Sequence, residues 1–371
     1  MGAAQKIYVA VVGVGLVGSE LVAQLLALPS TSPFRLISLT SSTRTLFSSS
    51  PAALSTGWKS QLAASTDRPD LTKLTQQLSA LVPDAKVALI DNTSSEDVAK
   101  MYPTWLQAGI SVITPNKKAF SGHLSLYDQI VAATRSPTGG RVFNEATVGA
   151  GLPVISTLKD LVGTGDKIVK IEGVFSGTMS YIFNEFSTGQ PTGPSFSSVV
   201  KTAREKGFTE PHPADDLNGF DVARKLTILA RTVSAYALSP SAHTLPKLTS
   251  FADVQTTSLI PAALEGISTG DEFIARLPEF DAQFDQLRAD ASKDGQVLRF
   301  VGVVDAVNGQ VRAGLERYST THPFATALGG SDNIIMFHTE RYGARPLIVQ
   351  GAGAGAAVTA MGVLGDLLKL A

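Results

Sequence analysis

Cysteine is absent from the 371 residues, and that one absence removes disulfides, thiolate metal sites and a cysteine nucleophile together. It fits a cytoplasmic protein. Charge is also scarce. Charged residues make up 17% and the formal net charge is -1, with lysines and arginines scattered, so no basic patch offers itself to nucleic acid or to an acidic membrane. No apolar run approaches the roughly 20 residues that cross a bilayer. The N-terminal MGAAQKIYVAVVGVG has no charged leader ahead of an apolar segment and cleavage site, and Lys6 stands where Met1-Gly2 myristoylation needs Ser or Thr. The histidines His123, His212, His243, His322 and His338 show no metal spacing and read as surface or loop residues.

Apolar sequence is plentiful at 44%, in a chain longer than single cores usually grow, so two domains are expected. The run KIYVAVV, Lys6 to Val12, is of buried-strand length and leads into Gly13-Val14-Gly15-Leu16-Val17-Gly18 and then the helical pattern SELVAQLLAL. Strand, G-x-G-x-x-G and helix in that order form a dinucleotide fingerprint. Its glycines give a tight turn, room for a pyrophosphate and close helix-to-strand packing. The second strand, FRLISLT, should end in an acidic residue if the ribose 2′-hydroxyl of NAD is to be gripped. No acid occurs between Glu20 and Asp67, and Ser41, Ser42, Thr43 and Arg44 stand there instead. Arg44 therefore reads either as a partner for the 2′-phosphate of NADP or as a plain loop cation.

A strand over Val87 to Ile90 ends in Asp91-Asn92-Thr93-Ser94-Ser95, and another over Ile110 to Thr114 ends in Pro115-Asn116-Lys117. Ligands of doubly wound sheets lie beyond such strand ends, so Thr93 and Lys117 belong to one rim. A helix is expected from Val98 to Ala108. The loop Asn144 to Pro153 holds two glycines and can turn carbonyls inward, either around a hard cation or as an interdomain hinge. From Lys167 the pattern changes to strands mixed with helices, the mark of an α+β second domain. Ser176-Gly177-Thr178 makes a polar turn into a helix. A charged helical stretch covers Gly270 to Ser292, and Gly351 to Gly355 forms a second strand, glycine loop and helix unit.

The stretch GFTEPHPADDLNGFDVARKLTIL, Gly207 to Leu229, puts the most charge beside the most apolar sequence. Pro211 and Pro213 delay a helix until Asp215 or Asp216, where a carboxylate is expected to cap it. Asp221 and Lys225 then share one face, four residues apart. As an exposed pair they would contribute about 0.3 kcal/mol. The apolar continuation and the nearby Glu210 favour instead a lysine held at the edge of a core for chemistry.

Together GVGLVGSELVAQLL, DNTSS, TPNKKAF, EATVGAGLP, EGVFSGTMSYIFNEFSTG, the stretch just described and GAGAGAAVTAMGVLGDLLK resemble the homoserine dehydrogenase family, in its short fungal form, over nearly the whole chain. The resemblance implies an α/β chain with a Rossmann-type dinucleotide-binding domain, 1–150, on which a C-terminal helix in 351–371 packs back. It implies an α+β domain for substrate binding, catalysis and dimerisation over 151–350. The implied activity is NAD(P)-dependent interconversion of L-homoserine and L-aspartate 4-semialdehyde, toward threonine and methionine. By motif, Lys225 resembles the proton-transfer lysine and Lys117 a second lysine of the site, while Glu210 and Asp221 resemble the carboxylates on the substrate's ammonium. Gly13 to Gly18, Thr93, Ser94, Lys117, Gly177 and Gly355 match positions around NADP or NAD. Main-chain oxygens of Glu145, Val148, Ala150 and Leu152 match a structural sodium site. A small-molecule substrate, a homodimer and no appended regulatory domain are further implications. Aspartate-semialdehyde dehydrogenase, which needs a cysteine, is excluded, and a silent NADP-sensing protein of the same fold is the rival reading.

Overall fold

The computed structural model describes residues 5–48, 54–238 and 243–371. Met1-Gly2, residues 49–53 of the Ser48 to Asp70 connection and residues 239–242 of the proline-broken connection lie outside the described residues. The chain divides into two compact units, Met1–Pro153 with Gly355–Ala371, and Val154–Ala354.

The first unit is built on a sheet of six strands: β1 (Ile7–Val12), β2 (Phe34–Thr40), β3 (Thr45–Phe47), β4 (Lys86–Asp91), β5 (Ser111–Ile113) and β6 (Val142–Phe143), in the order β3-β2-β1-β4-β5-β6. β3 runs antiparallel to β2, and the other neighbours are parallel. The central strands are buried almost throughout, which is why they read as continuous apolar runs. Strand order reverses between β1 and β4, so a crevice opens beyond their carboxyl ends. The helix Leu16–Leu26 follows β1 and buries Gly18, Leu21, Val22 and Leu25. The helix Ala356–Leu368 packs on the same core through Ala360, Val363 and Leu367. Its start is tied by the Gln24 amide, which donates to the Ala357 carbonyl at 2.9 Å.

The expected helix over Val98 to Ala108 is two short ones, Glu96–Lys100 and Tyr102–Gln107. Pro103 explains the break, because its ring has no N–H to continue the ladder and crowds the carbonyl four residues earlier.

The second unit carries β7 (Ile168–Val174), β8 (Gln255–Thr256), β9 (Gln296–Asp305), β10 (Gln310–Ser319), β11 (Asp332–Thr339) and β12 (Leu347–Ala352), in the order β12-β11-β7-β9-β10-β8. All neighbours are antiparallel except β8 with β10. The helix Phe220–Tyr236 lies against this sheet, and Gly302 makes room for it: a Cβ there would come within 2.7 Å of Leu226 and 2.9 Å of Phe175.

That helix does not begin at Asp215 or Asp216. Ala214–Leu217 forms a single turn, Gly219 then takes a left-handed conformation with φ 75°, and Phe220 starts the long helix. Only glycine fits, since a Cβ would meet Phe300 at 2.8 Å and Thr256 at 2.9 Å. Neither carboxylate caps the helix. Asp216 instead turns back to accept from the Glu210 N–H at 2.8 Å. Similarly, Pro278 divides the charged stretch into Gly270–Arg276, a 3₁₀ turn and Asp281–Lys293. His338 sits on β11 rather than in a loop, 2.9 Å from Glu172. Burial pushes the Glu172 carboxyl up, but His338 and Lys170 outweigh it and hold it at about 2. No helix among the described residues is long and apolar enough to cross a membrane.

Candidate active site

On the first unit, Gly13 has φ 87° and Gly15 precedes the helix Leu16–Leu26, whose first turn has no side-chain cap and no acid. Its first N–H groups therefore face outward as an anion site. Gly18 packs against Gly13, and a Cβ at Gly18 would overlap the Gly13 carbonyl oxygen at 1.9 Å. Leu16 is 84% exposed beside this turn, and Val14 and Val17 are partly buried against the core below it.

A buried acid ties the adjacent rim together. Asp91, at the end of β4, accepts from the Thr93 N–H at 2.7 Å, the Tyr102 hydroxyl at 2.5 Å and the Asn116 amide at 3.0 Å. Burial pushes its carboxyl up against those bonds. The Asn116 amide also donates to the Ser95 carbonyl at 2.9 Å, and the Asn116 Oδ1 accepts from the Lys118 N–H at 3.0 Å. One network thus fixes both the loop with Thr93 and Ser94 and the loop with Lys117. The latter is half-buried at the start of Lys118–Ser121. Between these loops and the glycines sits Asn92, whose two amide atoms are buried without a hydrogen-bond partner.

Arg44 lines a cleft of about 300 Å³ with Val14, Ser19, Ser41, Trp58 and Lys59. Its guanidinium donates to the carbonyls of Ala63 and, at 2.7 Å, Ser65. The cleft therefore presents two cations and two hydroxyls beside the glycine turn. In the loop after β6, Gly149 and Ala150 both adopt positive φ, 77° and 53°. Glu145, Val148 and Ala150 are buried and Leu152 is half-buried. The Asp366 carboxylate accepts from the Glu145 N–H at 2.8 Å, which fixes the start of the loop. A set of neutral carbonyl oxygens, where a loop presents one, suits a hard cation of low charge. Gly355, with φ 114°, opens the helix Ala356–Leu368, and nothing lies within 4 Å of where its Cβ would be.

On the second unit, Lys225 is 7% exposed. Its ammonium donates to the Phe175 carbonyl at 2.6 Å and reaches Asp221 Oδ2 at 2.7 Å. An exposed pair of that spacing contributes only about 0.3–0.5 kcal/mol. Stripping an ammonium of water costs several times as much, so stability alone gives little reason to bury this pair. The Phe175 carbonyl also accepts from the Asn333 amide at 3.1 Å, and the Asn333 Oδ1 is buried without a partner. Glu210 is exposed, and its backbone is fixed by Asp216. Gly177 opens the helix Gly177–Phe186 next to Thr178, with the Ser331 carbonyl oxygen 3.0 Å from where a Cβ would sit. Lys225 and Asp221 are thus brought into contact, and Glu210 is anchored close in sequence to them.

Sequence reasoning passed over Asn92, Lys59, Asn333 and the true partner of Asp216. Asn92 stood inside a quoted motif, directly before Thr93. Lys59 lay in a stretch read as a variable surface connection, and no local signal singled it out.

A family model described as homoserine dehydrogenase matches residues 153–368, and one described as its NAD binding domain matches residues 13–143. The chain is 48% identical to the homoserine dehydrogenase of Saccharomyces cerevisiae, covering 98% of this chain and 97% of that one. It is also 48% identical to that of Emericella nidulans, over 98% of each. Among solved structures, a Candida auris protein of unknown function is 43% identical with a TM-score of 0.91, covering 99% of this chain and 98% of that chain. With its glycine turn, rim lysine and buried lysine–aspartate pair, the chain belongs to the homoserine dehydrogenase family, NAD(P)-dependent oxidoreductases that interconvert L-homoserine and L-aspartate 4-semialdehyde.

Proposed function

We propose that Lys225 is the group that moves the proton in this reaction. The observation that carries the reading is a lysine buried to 7% exposure, bonded only 2.6 Å from the Phe175 carbonyl and 2.7 Å from Asp221. The nicotinamide cofactor, when bound, supplies or accepts the hydride. In the reductive direction the Lys225 ammonium donates its proton to the developing alkoxide and stabilises its charge. In the oxidative direction the same amine, once neutral, takes the hydroxyl proton. Lys117 adds positive charge at the reacting end. Glu210 and Asp221 hold the substrate's ammonium, and Asp221 also orients Lys225 through their shared contact.

The cofactor is assigned to the turn Gly13-Val14-Gly15-Leu16-Val17-Gly18, to Thr93, Ser94 and Lys117, and to Gly177 and Gly355. Arg44 and Lys59 receive the 2′-phosphate of NADP, which the absence of an acid after β2 leaves welcome. The main-chain oxygens of Glu145, Val148, Ala150 and Leu152 hold sodium, a reading carried by the match of EATVGAGLP to the family's motif. We further propose a cytoplasmic homodimer formed through strands of the second unit, where β12 lies at a sheet edge with Ile348 exposed. Light scattering checks the dimer.

The deciding experiment on the active site is Lys225→Ala. It should lower kcat by on the order of 10²–10⁴ while NADP binding and folding persist. Turnover close to that of the wild type removes Lys225 from the mechanism.

A further inference from the structure

Thr178 has one hydroxyl proton and two acceptors within reach. Its Oγ1 lies 2.5 Å from the Phe208 carbonyl oxygen and 2.8 Å from Asp216 Oδ1. A hydroxyl donates once. If Asp216 were a carboxylate, one of these two oxygen–oxygen contacts would have no proton in it, at a distance where bare oxygens repel. If Asp216 carries a proton on Oδ1, both are satisfied: Asp216 donates to Thr178, and Thr178 donates to Phe208. The second oxygen, Oδ2, accepts from the Glu210 N–H at 2.8 Å in either state.

We propose that Asp216 works as a carboxylic acid whose proton, donated in a hydrogen bond to Thr178, clamps the segment from Phe208 to Glu210 and so positions Glu210 for the substrate. This inference rests on the reading of Glu210 as a ligand of the substrate's ammonium. Asp216 is a positioning residue, because its contacts are to Thr178 and the Glu210 backbone.

The surroundings favour the acid. Thr178 is 7% exposed and opens the helix Gly177–Phe186. Glu210 from the preceding segment and Asp221 from the long helix face Asp216 with like charge, and Lys225 is engaged by Asp221 and Phe175. His212 is turned elsewhere, with Nε2 3.0 Å from the Ile267 carbonyl oxygen and Nδ1 accepting from the Ala214 N–H. Burial first, then the charges of Glu210 and Asp221, push the Asp216 carboxyl up to about 6 against its two hydrogen bonds. The clamp therefore sits within reach of ordinary working pH.

The test is the homoserine KM and kcat between about pH 5 and about pH 8 for the wild type, Asp216→Asn and Asp216→Ala. In the wild type, KM should rise as pH climbs through the ionisation of Asp216, while the Lys225-dependent profile of kcat stays separate. An asparagine can donate to Thr178 and accept from Glu210, so Asp216→Asn should keep a low KM that no longer varies with pH in this window. Asp216→Ala should raise KM at every pH by about 3- to 10-fold, the loss of one hydrogen bond's contribution. Infrared spectra of the folded enzyme should show a carboxylic-acid carbonyl band at the acid end that Asp216→Asn removes. That readout does not depend on turnover. A wild-type KM that falls with pH, an Asp216→Asn profile still shaped like the wild type, or an unchanged acid band overturns the clamp. Glu210→Gln keeps the two ideas apart: if it leaves KM unchanged while the acid band is present and Asp216→Asn removes it, the ammonium reading fails and the protonated Asp216 stands.

Discussion

The two units solve their binding problems with different parts of the polypeptide. In the first, the work falls to backbone: a left-handed Gly13, uncapped N–H groups of the helix Leu16–Leu26, and a parallel sheet whose order reverses between β1 and β4. Charged side chains there, Arg44 and Lys59, line a cleft beside the glycine turn. In the second, mostly antiparallel unit, the proposed site is a set of side chains, with Lys225 held to Asp221 at 2.7 Å and Thr178 to Asp216 at 2.8 Å. A backbone site is sensitive to added atoms. A side-chain site is sensitive to lost charge.

The sharpest way to break this contrast is to add one carbon to the first unit. Gly18→Ala forces a Cβ against the Gly13 carbonyl, an overpacking strain of about 1–3 kcal/mol. Titration with NADPH should show affinity weakened by roughly 10- to 100-fold, whereas unaltered binding would mean the turn is not the cofactor seat. Next in size, Asp221→Asn keeps the shape of the side chain and removes its charge. It should raise the homoserine KM by about 10-fold, as expected for a lost charge-assisted bond, and leave NADPH titration unaltered. If the cofactor affinity moved instead, the division of labour between units would be wrong. Smallest is Arg44→Ala, because the guanidinium is already occupied by the Ala63 and Ser65 carbonyls and Lys59 shares the cleft. The ratio of kcat/KM for NADP over NAD should fall by only about 2- to 5-fold, the worth of one exposed contact. A constant ratio would take Arg44 out of cofactor selection.

The contrast also explains what could be read in the sequence. The strand, glycine turn and helix at Lys6 to Leu28 are contiguous, so their chemistry is visible in one window, and β2 falls where the apolar run predicts, at Phe34–Thr40. Asp221 and Lys225 are legible for the same reason, being one helical turn apart. Partners brought in by the tertiary fold were not. The Phe175 carbonyl lies 50 residues from Lys225, and Thr178 lies 38 from Asp216. No periodicity connects them. Asp216 was misread as a helix cap because a carboxylate after proline usually serves as one, and the left-handed Gly219 that starts the helix later answers to Phe300 and Thr256, far along the chain.

One feature of the first unit bears on its birth. Leu21, Val22 and Leu25 share a core with Ala360, Val363 and Leu367. A ribosome delivers those last three only after about 200 intervening residues have emerged and begun to fold as the other unit. The nascent nucleotide-binding unit therefore waits with an open apolar seam, and its closure is a long-range event that follows synthesis of the other unit. Chaperones that shield greasy surfaces would find their natural client in that interval.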